Sequence, residues 1–380
     1  MKIVQITTDS REHYRTYGSG VPAFGAAPEA LLEGFSGLPN VEIHVLSCLR
    51  QPVESPSKLA ENIHYHALTV GRKGWMSSAY TGCILKTRKW MGELQPDLVH
   101  GQGTEKECAM CAVHSGYPNV VTIHGNMAEL HRLGFQGHRL FGTIASVLEG
   151  HALARTRGVF CNSAYTESLV KPRARRTWRV PNPIREAFFR PATGTPAEDT
   201  PMILNVGLVT PRKRQLELLR ALRDLAQDGH AFKIVFAGGL SENTEYGRQF
   251  AMELRSAEKE GIAEFAGFLD ADQLIALMDR CSGFVHYPSE EAFGLVVAEA
   301  MARGLKFFGA DLGGIRDIAE GIPSAEAHES MPSLSAGIAN WLQAGAPRQP
   351  EAADEIARRY HPKIIAARHL QIYREVLERQ

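Results

Sequence analysis

The chain has 380 residues, with 42 Lys and Arg against 42 Asp and Glu, 44% hydrophobic and 22% charged residues. That length exceeds one compact core and asks for two domains, and the even charge balance excludes a general polyanion binder. No apolar run approaches the roughly 20 residues needed to cross a bilayer, the opening MKIVQITTDS lacks a leader's cleavage site, and six scattered cysteines read as reduced thiols of a cytoplasmic protein.

Short apolar stretches alternate with helical ones along the first half, the pattern of a parallel sheet with crossover helices. Strands are expected at 2–7, 42–47, 63–67, 98–101, 120–124 and 158–162, and helices near 26–35, 78–94, 105–115, 140–155 and 165–170. A Pro-rich stretch, Val180–Ile184, and a loop over 191–201 lead into a second series. Its strands are expected at 202–206, 233–237, 263–266, 283–287, 306–310 and around Pro323; its helices at 215–228, 246–260, 271–280, 295–303 and 314–319. A last helical period covers 362–377. The fold class is therefore α/β, with two doubly wound Rossmann-like domains, and ligands in such sheets bind outside the carboxyl ends of the strands.

The second half holds the most specific stretch, YPSEEAFGLVVAEAMARG over residues 287–304. Glu291 precedes a helix that begins near Leu295, and Glu299 lies about one turn inside it. The backbone N–H groups of Ala292, Phe293, Gly294 and Leu295 gather at the helix start, where unpaired donors and the helix dipole favour a phosphate or a hydroxyl-rich anion. This frame resembles the Glu-x7-Glu motif of the retaining GT-B glycosyltransferases of family 4. The plainer reading is a helix-capping turn with a solvated Glu.

Other landmarks follow the same order as in that family. Asn-Val-Gly-Leu-Val-Thr-Pro-Arg-Lys resembles its Gly-Arg-Leu…Lys element, with Gly207 on the Gly and Lys213 on the Lys. Leu208 stands where an Arg is usual, and Arg212 is the candidate substitute for the missing phosphate contact. Gly238 and Gly239 suit close backbone approach to phosphate or ribose, and Phe268 with Leu269 resemble the loop that brackets the nucleotide base. In the first half, Gly18-Ser19-Gly20 matches a glycine-rich loop near the donor phosphate, with a plain flexible loop as the alternative. His124, at a strand's carboxyl end, resembles the family's His near the transferred sugar, where a hydrogen bond to a sugar hydroxyl makes chemical sense; a backbone-satisfied strand-end His is the other reading. Cys161-Asn162-Ser163 and Pro181-Asn182-Pro183 resemble two further landmarks.

Three features stay ambiguous. Cys108-Ala-Met-Cys111 with His114 has the spacing of a redox pair or half a zinc site, but without a second pair it reads as structural thiols on a core-facing helix. Residues 155–190 carry nine Lys and Arg against two acids, densest over 171–179: an anionic-membrane or acidic-acceptor patch, or a solvated edge. Trp75 and Trp90, each among basic residues, suit either a lipid-linked acceptor at a membrane or a core.

The resemblance implies two domains, 1–183 on the acceptor side, joined by the C-terminal helix 362–380, and 184–361 on the nucleotide-sugar side, facing across a cleft. It implies a retaining, metal-independent hexosyl-type glycosyltransferase that moves a sugar from a UDP- or GDP-type donor to a glycan or lipid-linked acceptor. Bacterial surface polysaccharide or glycoconjugate synthesis, in the cytoplasm or at the inner membrane face, is the expected setting, with no cofactor and no nucleic-acid partner. Glu291 would orient the donor sugar, Glu299 would bind ribose hydroxyls, and Arg212 and Lys213 would hold the diphosphate. A glycoside hydrolase leaves the phosphate-type loops unexplained. A GT-B phosphorylase, a nucleotide-sugar epimerase and a non-catalytic sugar-nucleotide binder remain alternatives.

Overall fold

The computed structural model describes residues 1–135, 139–191 and 200–378; of the loop expected over 191–201, residues 192–199 lie outside the described residues. The chain divides into two units, Met1–Arg185 with His361–Gln380, and Glu186–Tyr360.

In the first unit the order is β1 (Lys2–Ile6), α1 (Ser10–Tyr14), α2 (Ala26–Phe35), β2 (Glu42–Leu49), β3 (Lys58–Ala60), β4 (Ile63–Thr69), α3 (Thr81–Leu94), β5 (Leu98–Gln102), α4 (Glu107–Val113), β6 (Asn119–Ile123), α5 (Met127–Arg132), α6 (Arg139–Arg155), β7 (Val159–Cys161), α7 (Ala164–Val170) and β8 (Thr177–Arg179). The sheet runs β3-β4-β2-β1-β5-β6-β7-β8, and β3 on β4 is its antiparallel pair. β1 sits in the middle, with Ile3 opposite Ile43 on one side and Leu98 on the other. Helices cover both faces, so apart from Lys2 the central strands are buried and read as near-continuous apolar runs.

The second unit contains β9 (Met202–Val206), α8 (Gln215–Gln227), β10 (Lys233–Ala237), α9 (Glu245–Lys259), β11 (Ala263–Gly267), α10 (Ala271–Arg280), β12 (Gly283–His286), α11 (Leu295–Ala302), β13 (Lys306–Ala310), α12 (Gly313–Ala319), β14 (Glu326–His328), α13 (Met331–Gln343) and α14 (Glu351–Tyr360). Its sheet is parallel, in the order β11-β10-β9-β12-β13-β14. α8 places Leu216, Leu218, Leu219, Leu222 and Leu225 on the core side, the helical period that drives such a helix onto a sheet. α10 starts with a capping box between Asp270 and Gln273, which satisfies two otherwise orphaned amides.

The last helix, α15 (Pro362–Glu378), packs into the first unit. Ile365, Ala366, Ile372, Tyr373 and Val376 join the core that holds Ile3, Phe35 and Phe160. Side chains buried this fully contribute about 1.5–3 kcal/mol each for Ile, Val or Phe. Gly34 of α2 permits the contact, since a Cβ there would meet the Pro362 carbonyl oxygen at 2.2 Å.

Some expectations need correction. The strand expected around Pro323 lies at Glu326–His328, because Pro323 has no N–H for a ladder. The helix expected from residue 78 begins at Thr81, after two short 3₁₀ turns. α1, α5, β3, β8, α13 and α14 add to the elements expected from the sequence.

Candidate functional site

In the second unit, two loops at strand carboxyl ends meet. After β9, the chain passes Gly207 (φ +155) and rises to Arg212 and Lys213 before α8. It runs so close to the end of β10 that a Cβ on Gly238 would lie 2.1 Å from the Gly207 carbonyl oxygen. Gly239, by contrast, faces the Leu208 side chain. After β12 the second loop carries Glu290 and Glu291 into Gly294 (φ +97), which precedes α11. The Ser289 N–H donates to the Arg212 carbonyl at 2.8 Å, and its hydroxyl does so at 3.1 Å, so the loops are stitched together.

Charges pair across this seam. Arg212 Nη1 donates to both the carboxylate and the carbonyl of Glu290, at 3.0 Å each. Lys213 Nζ forms an ion pair with Glu291 Oε2. His286, 1% exposed at the end of β12, brings Nε2 to 3.1 Å from the same oxygen and 3.5 Å from Lys213 Nζ. Burial pushes the Glu291 carboxyl up, but the Lys213 ammonium and the His286 ring outweigh it and hold the group below the usual carboxylate range. Burial, with Lys213 beside it, pushes His286 down. Glu291 is therefore a fixed negative charge at neutral pH, with a neutral ring behind it. Burial raises Glu290 in spite of Arg212.

The Glu291 backbone is pinned as well. Gly314 N–H donates to its carbonyl at 3.0 Å, and a Cβ on Gly313 would come within 2.1 Å of that oxygen. Ala292, Phe293 and Gly294 are buried along this turn, and Leu295 is half-buried at the helix start. Glu299 is 3% exposed on α11. Phe268 follows β11 and is 79% exposed, and Leu269 is half-buried.

The remaining expected positions belong to the first unit. His124 follows β6 with Nε2 3.2 Å from Gln102 Oε1. Burial lowers its pKa to about 4, against a bond with Asn182. The ring is neutral and held by two side-chain amides. Gly18, Ser19 and Gly20 form an exposed loop, where a Cβ on either glycine would meet nothing within 4 Å; the loop contributes the Ser19 carbonyl to Arg11 at 2.7 Å. The basic stretch is partly neutralised: Arg173 pairs with Glu149, Arg176 with Glu375, Arg179 with Glu167 and Arg185 with Glu29. Trp75 is buried under the Arg50 guanidinium, and Trp90 leans on His44 and His66. Cys108 and Cys111 are buried free thiols. Among the described residues, no group of three or more His, Cys, Asp or Glu could hold a metal ion, and no helix is long and apolar enough to cross a membrane.

Sequence reasoning missed His286, Glu290 and the Gly313–Gly314 pair. A His closing an apolar strand, Gly-Phe-Val-His, was the available signal for the first. The others become visible only when the loops are folded together.

Comparison with known proteins follows the same division. The family described as Glycosyltransferase Family 4 matches residues 32–188, and the one described as Glycosyl transferases group 1 matches residues 189–359. The chain belongs to the family 4 glycosyltransferases. Across 315 residues, this glycosyltransferase is 24% identical to a 2-deoxystreptamine glucosyltransferase of Streptomyces kanamyceticus, covering 77% of the chain and 78% of the relative. Its fold is that of a sucrose-phosphate synthase from Thermosynechococcus elongatus, with a TM-score of 0.78, 16% identity and all of both chains covered. The Anabaena protein HepE, solved with UDP-glucose, superposes with a TM-score of 0.71 at 17% identity, again over all of both chains. These likenesses give the glycosyltransferase the GT-B fold, with two parallel-sheet domains and the C-terminal helix.

Proposed function

We propose that the enzyme is a retaining, metal-independent hexosyltransferase that takes its sugar from a UDP- or GDP-type donor. The observation that carries this reading is the Lys213–Glu291–His286 cluster at the carboxyl ends of β9 and β12, beside the start of α11. In the reaction the anomeric C–O bond to the diphosphate breaks, an acceptor oxygen bonds to that carbon, and the acceptor's proton passes to the departing phosphate. The leaving group gains negative charge, which Lys213, Arg212 and the amides at the start of α11 are placed to neutralise. The anomeric carbon gains positive charge. A carboxylate held ionised below its usual range stabilises that charge and orients the sugar, but has no proton to give. Glu299 is assigned to the ribose hydroxyls, and Phe268 and Leu269 to the base. HepE, of the same fold, binds UDP-glucose, which supports a donor of this class. A glycan or lipid-linked acceptor and a place in bacterial surface glycoconjugate synthesis complete the reading.

A thermal-shift panel of UDP- and GDP-sugars tests the donor. A ligand at a hundredfold excess over Kd adds about 2.7 kcal/mol of stability. Glu299→Ala should weaken this stabilisation, whereas Glu291→Ala should keep it and lose turnover; activity should persist in EDTA. Wild-type rates in both variants, or no stabilisation by any nucleotide sugar, would refute the assignment. Release of nucleoside diphosphate only on addition of an acceptor separates a transferase from an epimerase or a binding protein.

A further inference from the structure

We propose that a cavity inside the first unit recognises a ring-shaped ligand bearing a primary amine, through the carboxyls of the buried Glu107 and the half-buried Glu105. The proposal rests on the glycosyltransferase reading and deepens it: the ring would be the acceptor or the part of it that fixes its orientation.

The cavity, about 530 Å³, opens beyond the carboxyl ends of β1, β2 and β5. That volume lies within the range of small-molecule sites. Its walls are largely apolar, built from Trp75, Tyr80, Leu130 and Phe141. Phe141 is 46% exposed, so aromatic surface is on offer to a ring.

The acids are the unexplained feature. Glu107 is 1% exposed, and its Oε2 has no hydrogen-bond partner. Buried carboxylate oxygens are nearly always bonded, so this one lacks a donor that the chain does not supply. Glu105 takes the Gly125 N–H at 2.7 Å. Burial pushes both carboxyls up, Glu107 to about 7, and neither forms an ion pair among the described residues.

The other lining charges do not cancel them. Glu12 and Arg50 pair with each other. His13 and Arg15 are exposed and Lys106 is half-buried, so water screens the first two far more than the buried acids. A hydroxyl would bring one donor and no charge. An ammonium brings three donors and the positive charge that two desolvated carboxyls require.

Calorimetric titration of the full chain with matched pairs tests this: glucosamine against glucose, and cyclohexylamine against cyclohexanol, at pH 7. Each amine should bind at least tenfold more tightly than its hydroxyl partner. Binding should also release a fraction of a proton, read from buffers of different ionisation enthalpy, because the ammonium drives Glu107 to its ionised form. Glu107→Gln should bring each pair to within about threefold and abolish the proton release, while the stabilisation that UDP or GDP gives the wild type is retained. Equal affinity within the pairs, no binding by any probe, or an undiminished preference in Glu107→Gln would overturn the proposal. Should that variant fail to fold, the proton release of the wild type decides between the outcomes, and its absence is refutation. Stabilisation by UDP or GDP without amine preference sinks this inference alone; absence of stabilisation by either nucleotide in the wild type sinks the donor reading beneath it.

Discussion

Mild acid should loosen the first unit through His369. The ring is 4% exposed and lies on Phe160 with centroids 4.6 Å apart and planes 3° from parallel. Its Nδ1 is 2.8 Å from the Ile365 carbonyl oxygen. Burial drives its pKa down from 6.5 to about 4 against the pull of that carbonyl, with His124 adding in the same direction. The folded value is the lower one, so the unfolded chain takes up the proton first. Stability is then complete above about pH 6.5 and is lost as the pH falls towards 4. Each pH unit in that interval is worth about 1.4 kcal/mol, or about 2 kcal/mol by pH 5 and about 3.4 kcal/mol over the whole range. His124 also titrates at about 4, and His100, between Tyr373 and Thr122, is lowered well below its ordinary value. Both steepen the same loss. Urea unfolding at pH 7.5, 6 and 5 measures it. His369→Phe keeps a ring on Phe160 and removes one group's share, so its stability should fall less steeply by up to one proton's slope, about 1.4 kcal/mol per pH unit. Identical slopes for variant and wild type between pH 6.5 and 4.5, or no loss in either, would refute the reasoning.

Other expectations are as direct. Lys213→Met leaves Glu291 buried with His286 alone and should cost about 3–5 kcal/mol; the double variant with Glu291→Gln should recover most of it in a denaturant double-mutant cycle. The stability that Lys213 and Glu291 provide is present above the ordinary carboxylate value, about 4.5, and is lost as the pH falls through the lower folded value. Gly238→Ala sets a Cβ against the Gly207 carbonyl at a φ of +138 and should cost at least about 1–3 kcal/mol in thermal unfolding and weaken donor stabilisation. All six cysteines are buried and free, and burial raises Cys161 to about 12, so Ellman's reagent should label none in the native protein and all six in denaturant.

Much of the architecture is legible in the sequence because it rests on period and order. The near-continuous apolar strands and the leucine face of α8 dictate parallel sheets covered by helices, and Pro288 to Gly304 announces a loop feeding a helix. What escapes has physical causes. α1 is five residues, Ser-Arg-Glu-His-Tyr, held by an Asp9 cap rather than by an apolar face. β3 and β8 have three residues each, too few to show a period. α13 and α14 do carry a helical period, Leu334, Ile338 and Trp341 behind a Ser330 cap in one and Ala352, Ile356 and Tyr360 in the other. Their apolar stripes are only three residues each, narrower than the leucine face of α8. At the site, the residue types of Glu291 and Lys213 can be singled out. Their bond to each other, the His286 ring behind them and the Glu290 partner of Arg212 depend on folding two loops 78 residues apart.

The order in which the chain emerges during synthesis bears on the first unit. Its interior needs Tyr373, Ile372 and Ile365 alongside Phe35 and Phe160, yet those residues are made only after every residue of the second unit. The segment made in the middle can reach its final form while the earlier one still lacks a wall. Until the last helix arrives, apolar groups of α2 and β7 face water, and a released chain ending at residue 360 would carry the whole second unit and a first unit still open to chaperones.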